Sequence, residues 1–332
     1  MPGCWRQIKA PTIEERKNKT VISFGEVLWD RLPSGAVLGG APLNLALRLA
    51  GLGLAVCMVS RVGEDSEGCL ALEQIRSMGL DCGLIQRDRA QATGAVEVSL
   101  SPEGIPEYTI LPERAYDRIL FSPGLERTVA TARCVCFGTL VQRTEASRET
   151  LYSLLDMATG ALKFLDLNLR QGCYSQQTVT ESLHRADILK LNAQEVFEVM
   201  SLLNWSGLDL PAFCTRSLVE WSLAACVISL GAGGALAAAK GTPGVLYSPG
   251  YRVEVLDTVG SGDAFSAGFL DAWLRGCALT ECCTRGNLLG ALNCARRGAT
   301  EPITEQEIQA LEETGAERWI VLEEYRQYLS KP

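Results

Sequence analysis

Histidine is almost absent from this 332-residue chain, with His184 its single example. Ser-His-Asp or Cys-His catalysis would hang on that residue alone. Its setting, "SLHRADILK", reads as a surface or helix-end position. The 13 cysteines contain no C-x-x-C pair, and their close clusters are Cys134/Cys136 and Cys282/Cys283. That argues against a zinc site, and an odd count in a chain this long does not suit a secreted disulfide framework. Reduced cysteines filling a core are the expectation. No long unbroken apolar run occurs. The longest, "LALRLAGLGLAVCMVS", is interrupted by Arg48 and by glycine steps, and reads as helix, turn and strand rather than a membrane span. The first 20 residues, "MPGCWRQIKAPTIEERKNKT", lack the apolar core of a signal peptide and read as a polar tail. With no targeting feature, cytoplasmic is the expected location. Nor is there an excess of positive charge. The formal net charge of −8 argues against nucleic acid or a membrane surface as partner. It does not argue against small anions, which backbone dipoles can hold.

Three common motifs are also missing. "GALAAAKGT" has alanine where a Walker loop needs glycine before lysine. "GAGGALAAA" begins as a dinucleotide fingerprint, but Leu236 takes the third glycine's place, which counts against a nicotinamide-dependent dehydrogenase. "TVGSGD" puts Val259 at the first glycine of a nucleophile elbow around Ser261. Repeats, low-complexity stretches and polar linkers are not seen.

What is present is an alternation. "VISFG" (21–25), "AVCMVS" (55–60), "CVCFG" (134–138), "LKFLDL" (162–167), "DILKL" (187–191) and "ACVISLG" (225–231) are short, nearly continuous apolar runs. Such runs suit strands buried on both faces. Helical patterns separate them, among them "APLNLALRLAGLG", "EASRETLYSLLDMA" and "NAQEVFEVMSLL". The pattern predicts an α/β fold with a mostly parallel sheet covered by helices. Two stretches break it. "EVLWDRLPSGAVLGG" (26–40) is one; "TGAVEVSLSPEGIPEYTILP" (93–112) reads as a hairpin with a Pro-Glu-Gly turn. Antiparallel strands inserted into such a core predict a small β lid.

"DTVGSGDAFSAGF" (257–269) carries the chemistry. Phe265, Gly268, Phe269, Ala272 and Trp273 recur at helical spacing, and Gly276 is placed to stop the helix. The first turn of a helix has unpartnered N–H groups that attract an anion. Gly260 and Gly262 leave the approach open and can shape a nest of N–H groups. Asp263 would repel a phosphate there unless it serves as general base on an attacking hydroxyl; the alternative is a helix cap.

These residues resemble the C-terminal signature of the PfkB (ribokinase-like) family of sugar kinases, with Ser261 where the family usually has alanine. Other segments resemble the family in its own order: "LGGAPLNLA" (38–46), "VSRVGEDSEG" (59–68), "LDLNLR" (165–170), "ADILKLNAQE" (186–195) and "VISLGAGGAL" (227–236). The resemblance implies a three-layer α/β core over residues 21–312, with a β lid from about 27–40 and 93–118. Residues 1–20 would be a tail and 313–332 a C-terminal extension without an assigned role. It implies phosphoryl transfer from ATP to a sugar hydroxyl, with Mg2+ and room for a monovalent cation (K+) near Asp257.

The implied roles follow the matched positions. Asp263 is the base, and the backbone of Gly260, Ser261 and Gly262 holds the transferring group. Asp30, Gly39, Gly40, Asn44, Asn168 and Arg170 serve the sugar. Asn192, Ser229, Gly231, Gly234, Gly262 and Asn287 serve ATP. Glu195 and Asn192 serve Mg2+ through water; they also read as a helix cap, and the two roles are compatible. Within the family, "GGAPLN", "GEVLWDRLP" and "PERAYDRI" resemble fructokinases. Fructose is the first expectation, and 2-keto-3-deoxygluconate or ribose the alternatives. A sugar-binding module without activity is the non-kinase alternative. Unpaired lid edges suggest a homodimer.

Overall fold

A computed structural model describes residues 20–32, 35–100 and 106–329. The expected polar tail, but for Thr20, and the Pro-Glu-Gly turn fall outside these described residues. The strands run in chain order as β1 (Val21–Phe24), β2 (Leu28–Leu32), β3 (Gly35–Gly39), β4 (Val56–Gly63) and β5 (Ile85–Asp88). Then come β6 (Gly94–Leu100), β7 (Pro106–Ile110), β8 (Cys134–Phe137), β9 (Leu162–Asp166) and β10 (Ile188–Asn192). The last are β11 (Ala225–Ser229), β12 (Ala235–Ala239), β13 (Leu246–Ser248), β14 (Gly250–Tyr251) and β15 (Trp319–Ile320).

The main sheet has nine strands in the order β13-β12-β11-β10-β9-β8-β1-β4-β5. From β11 to β5 every pairing is parallel. Every residue of β1 and β8 is buried. This is why the apolar runs are continuous rather than alternating: helices cover both faces. At one end the sheet turns antiparallel through β12 and β13. The chain begins in the middle, at β1, runs outward through β4 and β5, then returns to β8 on the other side of β1. Such a reversal of strand order leaves a crevice beyond the carboxyl ends of the strands, the usual place for a ligand in an open α/β sheet.

The lid is a second sheet, ordered β3-β2-β6-β7. Its two hairpins are antiparallel, the one over 93–112 as expected and the one formed by β2 and β3 in addition, and they join through a parallel pairing of β2 with β6. Above the main sheet the helices Ser261–Arg275 and Leu279–Cys294 cross closely. A Cβ at Gly268 would sit 2.6 Å from the Arg285 carbonyl oxygen, and one at Gly286 2.9 Å from the Phe265 ring. Nine of the twelve described cysteines are buried and all twelve are free thiols, as expected of reduced core residues. His184 is exposed in the last turn of helix Gln176–Arg185.

The C-terminal extension, unassigned from sequence, is folded onto the main body. β15 pairs with β14. The Tyr247 hydroxyl accepts from the Leu322 N–H at 2.9 Å and donates to the Gly233 carbonyl at 2.7 Å.

Candidate active site

Local backbone geometry builds the central turn. Gly260 is the N-cap of helix Ser261–Arg275, with φ +74°, and no side chain caps this helix. Gly276 ends it, also left-handed, as its position predicted. The Ser261 N–H turns back to the Thr258 carbonyl at 3.2 Å. The N–H groups of Gly262 and Asp263 have no protein acceptor among the described residues. A helix end with free donors and no cap is a ready anion site.

Asp263 does not fill the capping role left open by the sequence. Its Oδ2 instead accepts from Asn44 Nδ2 at 2.8 Å. Asn44 is delivered by helix Ala41–Gly51, which starts at Gly40 with φ +115° and carries proline in its first turn. A Cβ at Gly40 would lie 2.5 Å from the Glu26 carbonyl oxygen, so glycine is required for this close turn. Asn44 Oδ1 is buried without a partner, and Asn44 and Asp263 both line one cavity.

That cavity measures about 890 Å3 and opens between the lid and the crevice. Glu26, Asp30, Gly40, Asn44, Arg170 and Asp263 line it. Burial pushes the Asp263 carboxyl up to about 6, and Asp166 adds to the rise against Asn44, Lys190 and Arg170. Burial likewise lifts Glu26 to about 7, against nearby backbone donors and Arg170. Asp30 is raised by burial and lowered by Arg170. Arg170 is exposed and forms no ion pair among the described residues, yet its charge reaches all three carboxyls. Of the other expected sugar-site residues, Gly39 acts from behind: a Cβ there would meet Asp30 Oδ2 at 2.9 Å. Asn168, left-handed at φ +45°, lines a water-sized space beside Ser23, Glu26 and Asp166 rather than the large cavity.

A second cavity of about 350 Å3 lies on the other side of the turn. Ser229, Gly231, Gly234, Gly262 and Asn287 line it, as a group expected at one ligand. Asn287 Nδ2 is spent on the wall, donating to Ser248 O, Ser248 Oγ and Pro249 O at 3.0–3.1 Å. Ile320, from the C-terminal extension, and Tyr251 complete the wall. Asn192 and Glu195 line neither cavity. They form the reciprocal cap expected of them: Glu195 N donates to Asn192 Oδ1 and Asn192 N to Glu195 Oε2. Glu195 Oε1 accepts from the Leu169 N–H at 2.9 Å. Asp257 is similarly engaged, accepting from the N–H groups of Val259 and Gly298.

Thr258 lines both cavities, Gly260 and Asp263 the first, Ser261 and Gly262 the second. One turn with free anion donors thus separates an acid-lined cavity from a glycine-lined one.

Sequence reasoning missed Glu26, Lys190 and the cavity role of Arg143. Glu26 stands two residues past the end of β1, and a carboxylate beyond the carboxyl end of a central strand was a usable signal. Lys190 is the charge inside the run "DILKL", which reads as apolar. Arg143 lines the first cavity while held by Asp117 at 2.7 Å.

The chain matches the family model "pfkB family carbohydrate kinase" over residues 35–306. A sugar kinase of Pyrococcus horikoshii described as uncharacterized is 30% identical over 270 residues, 79% of this chain and 82% of that protein. Its structure in complex with ATP superposes with TM-score 0.73 at 26% identity, covering 89% of this chain and 98% of the other. Rice fructokinase-1 is 26% identical over 326 residues, 90% of this chain and 99% of the relative. A fructokinase of Xylella fastidiosa shares the fold with TM-score 0.78 at 22% identity, over 90% and 99% of the two chains.

Proposed function

Because this chain belongs to the pfkB family of carbohydrate kinases, we propose that it is a fructokinase, moving the γ-phosphoryl group of ATP to a hydroxyl of fructose. The observation that carries this reading is the shared turn: free N–H donors at Gly262 and Asp263 stand between two cavities, with Asp263 facing the acid-lined one. Fructose would sit in the lid cavity, its hydroxyls bonded to Asp30 and to Asn44 Oδ1. ATP would enter the glycine-lined cavity, where the P. horikoshii relative supports the choice of nucleotide. The Asp263 carboxylate takes the proton of the attacking hydroxyl as the new oxygen–phosphorus bond forms and the bond to the ADP oxygen breaks. The free N–H groups meet the charge on the transferring group, and being fixed in advance they need no reorganisation.

No group of three or more metal-binding side chains occurs among the described residues. Mg2+ would be carried by the phosphates and mostly water-bound, with Asn192 and the capped Glu195 near it through water. When bound it would neutralise phosphate charge. A K+ ion near Asp257 would have to share a carboxylate already used by two N–H groups.

Three carboxyls, Glu26, Asp30 and Asp263, disfavour an anionic acceptor and favour a neutral sugar. Arg170, charged and without an ion pair, supports the second reading, a 2-keto-3-deoxygluconate kinase. A coupled ADP-release assay with Mg2+ across fructose, 2-keto-3-deoxygluconate, ribose and adenosine tests both. We expect the highest kcat/KM on fructose. Greater activity on the sugar acid would replace that reading with the second, and sugar binding without ADP release would reject catalysis.

The base should also set the acid limb of the pH profile. With Asp263 lifted to about 6 by burial, kcat/KM should be flat above pH 7 and fall about tenfold per unit below 6. An acid limb near pH 4 would remove Asp263 from the role. No helix among the described residues is long and apolar enough to cross a membrane, and the cytoplasm is the compartment we propose. The outer strands of the lid, β3 and β7, each keep one unpaired edge, the feature behind a homodimer through the lid.

A further inference from the structure

Strand β10 is apolar except for Lys190 and its last residue, Asn192. Ile188, Leu189 and Leu191 are fully buried, and Lys190 between them is buried as well. An ammonium in such a place needs a partner. Lys190 Nζ lies 3.0 Å from Asp166 Oδ1 and 3.2 Å from Asp166 Oδ2. Asp166 Oδ2 also accepts from Ser266 Oγ at 2.6 Å, and Ser266 Oγ is 3.0 Å from the Gly262 carbonyl. A bonded chain therefore runs from the sheet to the first turn of helix Ser261–Arg275. A Cβ placed on Gly262 would come to 3.4 Å from Lys190 Nζ, which puts the ammonium directly beneath the anion turn.

We propose that Lys190 is a positioning residue for phosphoryl transfer: it masks the Asp166 carboxylate under the turn and holds Gly262 and Asp263 in their anion-receiving arrangement. The inference rests on the kinase reading. An ammonium beside the positive end of a helix is unfavourable until an anion arrives, so the arrangement makes sense for a site that receives one. Without Lys190, Asp166 would keep the Ser266 hydroxyl but have no counter-charge, a buried carboxylate close to the incoming phosphoryl group. A pair that served packing alone would have no reason to touch the one turn both cavities share.

The test compares the wild type with K190R, K190M and the double variant D166N/K190M, which removes both charges and so protects against simple misfolding of K190M. Binding of Mg–AMP-PNP and of Mg–ADP is measured by calorimetry, and turnover by ADP release. We expect K190M to lose about 100-fold in kcat with the sugar KM little changed, and K190R to recover most of it. AMP-PNP should weaken about tenfold in K190M while ADP is unaffected, because only AMP-PNP carries a group at the γ position. The double variant, in which the masked carboxylate is gone too, should recover AMP-PNP binding relative to K190M. Equal loss of both nucleotides, or wild-type turnover in K190M, would overturn the proposal. If K190M does not fold, a double variant that binds AMP-PNP and ADP as the wild type does and keeps at least part of its turnover supports the masking role, and one that loses both nucleotides overturns it. A wild-type protein that binds neither nucleotide would instead overturn the kinase reading and this inference with it.

Discussion

Asp263→Asn is expected to lower kcat by ~10³-fold or more while raising the melting temperature at pH 8. The amide has the size and shape of the carboxyl, and its oxygen can still accept from Asn44 Nδ2, so the pocket is kept. What it cannot do is take a proton. The stability effect has a definite sign. The folded-state carboxyl is lifted from 3.8 to about 6, chiefly by burial. Between those values the folded state binds the proton that the unfolded state releases, so stability falls as pH rises through this window. Above about 6 the full cost of an ionised buried group is present, and the amide removes it. Melts should show a gain of about 1–3 °C at pH 8 that disappears below the unfolded-state value. Activity near the wild-type level would reject Asp263 as base; lower stability at pH 8 would reject the account of its burial.

Gly260→Ala should combine inactivation with instability, the opposite pairing. Gly260 has φ +74°, where a Cβ costs about 1–2 kcal/mol. The new methyl would also stand 2.3 Å from Ala299 Cβ and 2.8 Å from Ala299 Cα. Neither neighbour is the end of a flexible side chain, so the turn itself must move. A displacement of about 1 Å at the phosphoryl site is enough for about 10²-fold in rate. We expect kcat to fall by about that factor and the melting temperature to drop. Gly262→Ala is the useful contrast, since its methyl meets only Lys190 Nζ at 3.4 Å. It should be folded and stable, so a Gly260→Ala variant as stable as Gly262→Ala would refute the clash.

Much of this was legible in the sequence, and the reasons are physical. Strands buried on both faces write themselves as short apolar runs, so β1, β8, β9 and β11 could be placed from "VISF", "CVCF", "LKFLD" and "ACVIS". Caps and turns depend on neighbours in the chain, so Gly260, Gly276 and the Asn192–Glu195 cap were readable as well. Contacts between distant segments leave no local trace. The bond from Asn44 to Asp263 spans 219 residues, and nothing near either residue announces it. The hairpin of β6 and β7 was visible, whereas the pairing of β2 with β3 and the parallel pairing of β2 with β6 were not. Lys190 was hidden by its surroundings: its partner Asp166 belongs to another strand, and only the sheet brings them together.

The turn from Thr258 to Asp263 is a partition between two cavities. A change in it cannot be confined to one substrate, since any shift of the backbone alters both chambers and the passage between them. On the proposed reading, divergence in acceptor choice would come from the lid strands β2 and β6 and the segment after β1, which line the first cavity and not the second. The partition would stay fixed while the lid drifts, so acceptor range can change in small steps without dismantling the chemistry.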